Sequence, residues 1–461
     1  MEKLDISIFK AYDIRGLANE QINARVAYLI GRAYAQIIKP VPAIVGVGRD
    51  VRISGEKFQP AVIQGLLDEG IEVVDLGVIS TDMLYFGVGN YKLGGGITVT
   101  ASHNPGEYNG FKLVRDGAKP ISSDSGIIEI QARVQELWDE EVDVPKDIVL
   151  THVHKKEVLL EDYIDKVMTF SDASVFEGVD TYKIALNGNH GAVGSVMDQL
   201  LNKYNLPIDP VWLYHDADGT FPQGRPDPLY ETNQTAFKHV IVENGCDFGV
   251  AWDADADRCF FFDHKGEFVD GYYIVALLAK NILSKHPGEK ILHDPRFTWA
   301  VVDTVNEVGG VPLVERVGHS FIKARMRKDN AIFAGENSGH YYFRDYYYAD
   351  NGIIPFLMIF ELLAQQKVSM EVLAQPYREK YFTSGEVNNT VEDPEGIMKE
   401  IEDKYSDGVQ DPIDGISIEY DDWRCNIRKS NTEPLLRLSL EAKTKELMEE
   451  KTKELLKIIK E

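Results

Sequence analysis

The stretch AIVGVGRD (43–50), with FQPAVIQGLLDEG (58–70) and IEVVDLG (71–77) after it, reads as strand, helix and strand. The two outer runs are short and rich in Val and Ile, the composition of a buried strand. In the middle run the apolar residues fall near i, i+3/4 and i+7, which gives a helix one buried stripe. The pattern returns as YKIALNGNH (182–190), VGSVMDQLLNKY (193–204) and LPIDPVWL (206–213). It returns again as KILHDPRF (290–297), WAVVDTVNEVGG (299–310) and VPLVERVG (311–318). Strands alternating with such helices predict α/β layers with a largely parallel or mixed sheet. The copies are unevenly spaced, so they read as related domains rather than a solenoid.

The C-terminal portion breaks the pattern. Strands are predicted at SGEVNNTV (384–391), ISIEY (416–420), NIRKS (426–430) and LLRLSLEA (435–442), with helices over 395–405 and 444–460. The last helix puts Leu447, Met448, Leu455, Ile458 and Ile459 on one stripe, which makes this a small α+β domain. WDEEVDVPKD (138–147) and AQPYREK (374–380) read as linkers. The predicted organisation is three related α/β domains and a C-terminal α+β domain, over 1–150, 151–265, 266–368 and 369–461.

With 461 residues the chain exceeds one ordinary core, and its 44% hydrophobic and 27% charged content is that of a globular protein. A net charge of −25 opposes nucleic acid and anionic membrane as partners. Cys246, Cys259 and Cys425 form no C-x-x-C pair, and MEKLDISIFK at the N-terminus has no apolar signal-peptide core. The most apolar run, 353–363, holds Glu361 and a proline and falls short of the ~18 apolar residues a spanning helix needs. The expectation is a soluble, cytoplasmic protein.

Two segments carry chemistry. Asp253-Ala-Asp255-Ala-Asp257-Arg258 lies between the apolar runs FGVAW and CFFFD. Alternate residues of an extended segment project to one side, so the three carboxylates can converge on a hard cation. An EF-hand is excluded, because Arg258 stands where that loop needs Gly and His264 where it needs Glu. A solvated acidic turn is the plainer reading. In the second segment, Thr100-Ala101-Ser102-His103-Asn104-Pro105 follows the strand GGGITVT, and Pro105 stops that strand. A serine on a bend at the C-terminal end of a strand is placed as a nucleophile, although a turn-capping serine fits the same pattern.

Together with FKAYDIRG (9–16), these segments resemble the α-D-phosphohexomutase family. The likeness extends to Lys112 in YNGFK, VGHSFIK (317–323), GENSGH (335–340) and RKSNTEP (428–434), in the family's order. It implies four domains around a central cleft and phosphate transfer between C1 and C6 of a hexose. In that reading Ser102 carries the phosphate, and Mg2+ is held by Asp253, Asp255, Asp257 and the phosphorylated Ser102. A hexose 1,6-bisphosphate is both intermediate and activator. Arg15, Lys112 and Arg258 would hold the transferred group, with His103 beside the serine.

Arg428, Ser430, Asn431 and Thr432 would form a second phosphate clamp, while Glu336 and Ser338 read sugar hydroxyls. His340 would be the general acid or base, and His319 and Arg296 further substrate contacts; each of these three also has a purely structural reading. Members acting on mannose and glucose phosphates typically read GEMSGH, and glucosamine members GEQSGH; Asn337 matches neither. YYFRD (341–345) and DRCFFFD (257–263) favour the mannose/glucose branch, with the glucosamine branch as alternative. Ala254 also stands where many members carry Gly. A dehalogenase-type phosphatase would need its Asp-x-Asp after an early strand. The expected partner is a hexose phosphate, and the expected state a monomer or homodimer.

Overall fold

Each of the three repeats folds as two parallel strands joined by one helix. Ile44–Arg49 and Glu72–Val78 pair around the helix Gly55–Asp68. Tyr182–Asn187 and Ile208–Leu213 pair around Val193–Tyr204. Lys290–His293 and Val311–Val314 pair around Trp299–Glu307. Parallel neighbours require such a crossover, and helices packed on the sheet make the strands read as near-continuous apolar runs. The computed structural model describes residues 3–146, 148, 150, 153–155, 159–429 and 435–460.

The chain forms two compact units, one of Met1–Phe268 and His340–Ser369, the other of Val269–Gly339 and Met370–Glu461. In the first unit one sheet has the order Ile14–Leu17, Tyr108–Arg115, Gly95–Val99, Ile44–Arg49, Glu72–Val78, Val153–Lys155. Its strands Gly95–Val99 and Ile44–Arg49 are parallel, and Tyr108–Arg115 returns antiparallel beside Gly95–Val99. A second sheet runs Cys259–Asp263, Phe248–Trp252, Tyr182–Asn187, Ile208–Leu213. The helices Ala24–Ile38 and Gly55–Asp68 approach so closely that a Cβ on Gly31 would lie 2.4 Å from the Val62 carbonyl oxygen. A Cβ on Gly65 would lie 2.2 Å from the Tyr28 carbonyl oxygen, so only glycine fits at either place. Val26, Ile30, Val45, Val47, Phe58 and Val62 are among the residues that fill the core below. Burying each such side chain contributes about 1.5–3 kcal/mol.

In the second unit, Val311–Val314, Lys290–His293 and Phe333–Gly335 lie parallel. The C-terminal sheet is antiparallel, in the order Phe382–Thr390, Leu435–Ala442, Trp423–Lys429, Ile416–Glu419, Val409–Asp411. The helices Pro394–Lys404 and Lys445–Lys460 pack on it, and Ile401, Leu455 and Ile459 enter its core. Three α/β layers and an α+β portion are therefore present, as the sequence leads one to expect.

The linker expected at 374–380 is instead the end of a helix, Met370–Lys380, with Pro376 inside. Met370, Leu373, Ala374 and Tyr377 form a buried stripe whose packing outweighs the hydrogen bond that proline removes. All three cysteines are free and buried. No single helix among the described residues is long and apolar enough to cross a membrane.

Candidate active site

Ser102 stands just past the C-terminal end of Gly95–Val99, where its backbone turns left-handed at φ +51°. That conformation is costly for a residue with a Cβ and persists only when its surroundings hold it. The Ser102 N–H donates to Thr100 Oγ1 at 2.9 Å, and the Asn104 N–H to the Ala101 carbonyl at 3.0 Å. Arg52, fully buried, closes the loop from below. Its Nη2 donates to the carbonyls of Ser102 at 2.7 Å and Asn104 at 2.6 Å, and its Nη1 to those of Pro105 at 2.6 Å and Tyr108 at 3.0 Å.

The Ser102 hydroxyl lies 2.9 Å from Asp253 Oδ2 and 3.1 Å from His103 Nδ1. Burial, then the nearby Arg258 and Arg15, hold His103 well below the usual imidazole range, so it is neutral beside the serine.

Asp253, Asp255 and Asp257 occupy the turn between the antiparallel strands Phe248–Trp252 and Cys259–Asp263. Their convergence does not come from an extended segment, since Ala256 is left-handed at φ +53° and the chain bends there. Ala254 is not among the residues with positive φ, so its methyl group meets no backbone conflict. All three carboxylates are buried, with oxygens within 4.8 Å of one another. Asp255 Oδ1 and Asp257 Oδ1 make no hydrogen bond.

Burial and then the charges of Asp255 and Asp257 push Asp253 well above the ordinary carboxylate range. Burial acts the same way on Asp257, but Lys112 and His340 outweigh it and hold that group well below the range. Three crowded carboxylates with oxygens left unbonded fit a hard divalent cation. His340 and Asp350 also come within 4.8 Å of Asp257.

Cations line the same place. Lys112 Nζ lies 2.7 Å from Asp255 Oδ2 and 2.5 Å from Asp257 Oδ2; burial lowers its proton affinity, and the two carboxylates more than restore it. Arg258 Nε donates to His340 Nε2 at 3.3 Å and lies 3.6 Å from Asp253 Oδ2. Arg15 bonds Asp13 at 2.5 Å and Asn104 Oδ1 at 2.8 Å, on the serine's own loop. Ser102, His103, Lys112, Arg15, Arg258, His340 and the three aspartates are thus brought together in one unit.

The second unit gathers another set. Arg296 is bidentate on Asp294, at 3.0 and 2.8 Å, and 3.4 Å from Ser338 Oγ. Glu386 lies 2.9 Å from Arg428, 3.1 Å from Arg437 and 3.6 Å from Arg296. Burial and then these three arginines act on it in opposite senses, and the arginines hold it ionised. Glu336 Oε1 accepts the Gly318 N–H at 3.1 Å, and His319 Nδ1 lies 3.4 Å from Lys323 Nζ. Ser430, Asn431 and Thr432 lie outside the described residues.

Sequence reasoning missed Arg52, Glu386 and Arg437. Arg52 had a positional signal, since it follows the C-terminal end of a parallel strand. Arg437 faces Arg428 in strand register, which no local motif reveals. Asn337, read as the varying sugar position, turns its Oδ1 to the Tyr272 N–H at 3.1 Å, in the first turn of the helix Gly271–Lys285. It shares that N–H with Asp270, the N-cap of the helix, whose Oδ1 lies 3.4 Å away.

Sequence models of all four phosphoglucomutase/phosphomannomutase domains match the chain: α/β/α domain I over residues 7–139, domain II over 161–266, domain III over 270–381 and the C-terminal domain over 386–458. The chain belongs to the phosphoglucomutase/phosphomannomutase family. It is 42% identical to a phosphomannomutase of Vibrio cholerae, with 99% of each chain covered. It is 40% identical to a phosphohexose mutase of Xanthomonas campestris, over 99% of this chain and all of that one. Among solved structures, a phosphoglucomutase/phosphomannomutase family protein of Burkholderia thailandensis superimposes with a TM-score of 0.83 at 28% identity, covering 99% of this chain and 98% of that one.

Proposed function

We propose that the chain interconverts hexose 1-phosphates and hexose 6-phosphates, those of mannose and also of glucose, through a phosphoserine at Ser102. The observation that carries this reading is the contact of Ser102 Oγ with Asp253 Oδ2 at 2.9 Å, in a chain 42% identical over 99% of its length to a phosphomannomutase. We assign Mg2+ to Asp253, Asp255 and Asp257 with the phosphorylated Ser102. When bound, that ion polarises the phosphoryl group and draws off charge from a loose, in-line transition state.

The chain's own groups do the rest. Arg15, Lys112 and Arg258 hold the equatorial oxygens of the phosphoryl group while His103 stays neutral beside the serine. The bond from phosphorus to Ser102 Oγ breaks as a bond forms to the free sugar hydroxyl, whose proton passes to His340 as general base. The hexose 1,6-bisphosphate turns end for end, and its other phosphate returns to Ser102. The same bisphosphate, supplied from outside, primes an unphosphorylated serine.

Glu336 and Ser338 read the sugar hydroxyls, with His319 and Arg296 beside them. Arg428, Ser430, Asn431 and Thr432 clamp the phosphate that is not being transferred. In this division of labour residues 1–150 carry the serine, 151–265 the cation, 266–368 the sugar contacts and 369–461 the clamp. Three scattered, free cysteines suit a soluble cytoplasmic enzyme, and the net charge of −25 argues against nucleic acid and anionic membrane as partners.

Intact-mass measurement tests the nucleophile. After incubation with glucose 1,6-bisphosphate and desalting, the wild type is expected to retain one phosphate and Ser102→Ala none. Phosphate retained by the variant would overturn the assignment.

A further inference from the structure

Asp255 is held at two places by a single residue. Thr81 Oγ1 donates to Asp255 Oδ2 at 2.6 Å, and the Thr81 N–H donates to the Asp255 main-chain oxygen at 2.9 Å. Lys112 Nζ adds a bond to the same Oδ2 at 2.7 Å, and Thr100 Oγ1 approaches it at 3.3 Å while bonding Asp50 at 2.7 Å. All the donors therefore converge on one oxygen. The other, Oδ1, is buried and makes no hydrogen bond. Because a carboxylate is planar, fixing Oδ2 and the main chain fixes where Oδ1 points.

Thr81 itself has little freedom. It opens the helix Thr81–Asn90 and is fully buried, and its β-branched side chain restricts χ1. The next residue, Asp82, anchors this turn from behind. Its carboxylate accepts from the Ser80 hydroxyl, the Met83 N–H at 2.9 Å, Tyr163 Oη at 2.5 Å and Asn351 Nδ2 at 2.7 Å. Tyr346 Oη donates to the Asp82 carbonyl at 2.8 Å. Lys112 is divided between Asp255 and Asp257, whereas the Thr81 hydroxyl bonds Asp255 alone.

We propose that Thr81 is a positioning residue which, through the Asp255 carboxylate, presents Asp255 Oδ1 to the divalent cation. The inference rests on the assignment of the three aspartates as the cation site. Partners that orient metal ligands in this way typically account for 10–100-fold in metal affinity.

The test is Mn2+ binding to the purified full-length chain, followed by electron paramagnetic resonance. Thr81→Val keeps the shape and the main-chain bond but removes the hydroxyl, and is expected to weaken Mn2+ binding by about 10–100-fold. Thr81→Ser restores the hydroxyl and is expected to recover most of that loss. Melting temperature is followed alongside; if Thr81→Val does not fold, Thr81→Ala against Thr81→Ser gives the same comparison. Wild-type affinity in a folded variant lacking the hydroxyl would overturn the proposal. A wild type that binds no Mn2+ would instead overturn the cation assignment, and this inference with it.

Discussion

Arg52 forms a charge-bearing cross-link inside the first unit. Its Nε bonds Asp50 at 3.0 Å, and its two terminal nitrogens hold four carbonyls of the serine loop. Lysine keeps the charge but cannot fork, so Arg52→Lys leaves several buried carbonyls unbonded. We expect the variant to lose about 2 kcal/mol or more of stability, read by denaturant unfolding, with kcat falling further than KM rises. Unchanged stability and kcat would show that the left-handed Ser102 holds itself. At this scale the sequence was informative where chemistry is local. Ser102 and the three aspartates each sit in a short run whose residue types announce a purpose. Arg52, Glu386 and Arg437 work through partners far away in the chain, such as Pro105 and Tyr108 for Arg52 and Arg296 for Glu386, and only the folded structure brings those together. Asn337 illustrates the converse: at the position where the family's branches vary, the side-chain oxygen turns to the first turn of the helix Gly271–Lys285.

The helix Thr81–Asn90 shows what an element contributes beyond propensity. Its first turn is tied through Asp82 to Tyr163 and Asn351, from two other segments of the same unit. Burial above all raises the Asp82 carboxyl from 3.8 to about 7, against the hydrogen bonds from Ser80 and Tyr163. The folded value exceeds the unfolded one. This group's contribution to stability is therefore fully present below about pH 4 and is lost as pH rises through 7. The loss is at most about 4 kcal/mol, from 1.36 kcal/mol per pH unit. Asp82→Asn removes the titration. Relative to wild type, the variant is expected to gain stability by up to that amount between pH 4 and pH 8, in urea unfolding at each pH. A constant difference across that range would contradict it. Elements were legible in the sequence wherever apolar periodicity was strong, as in the three strand–helix–strand repeats. The helix Met370–Lys380 escaped because Pro376 signals a break, and only the packing of its stripe overrules that signal. The strand Val409–Asp411 escaped because three residues with no buried member carry no period.

Across the whole molecule, the grouping of the repeats is the feature least visible in the sequence. Residues His340–Ser369 follow the third repeat in the chain yet belong to the unit that holds the first two. The reason is the helix Ile353–Gln366, apolar on every side and so requiring cover all round. Within that unit Phe360 stacks on Phe176 with centroids 4.8 Å apart, and Trp252 Nε1 donates to the Gly352 carbonyl at 2.8 Å. The same segment brings His340 beside Arg258. The net charge of −25 coexists with a local excess of arginine around Glu386, where Arg296, Arg428 and Arg437 gather. The chain is a hexose phosphate mutase of the phosphoglucomutase/phosphomannomutase family. A phosphorus NMR time course with Mg2+, a trace of glucose 1,6-bisphosphate, and mannose 1-phosphate or glucose 1-phosphate in separate samples tests this activity most directly. Each 1-phosphate signal is expected to give way to that of the corresponding 6-phosphate. Release of inorganic phosphate without any 6-phosphate would contradict it.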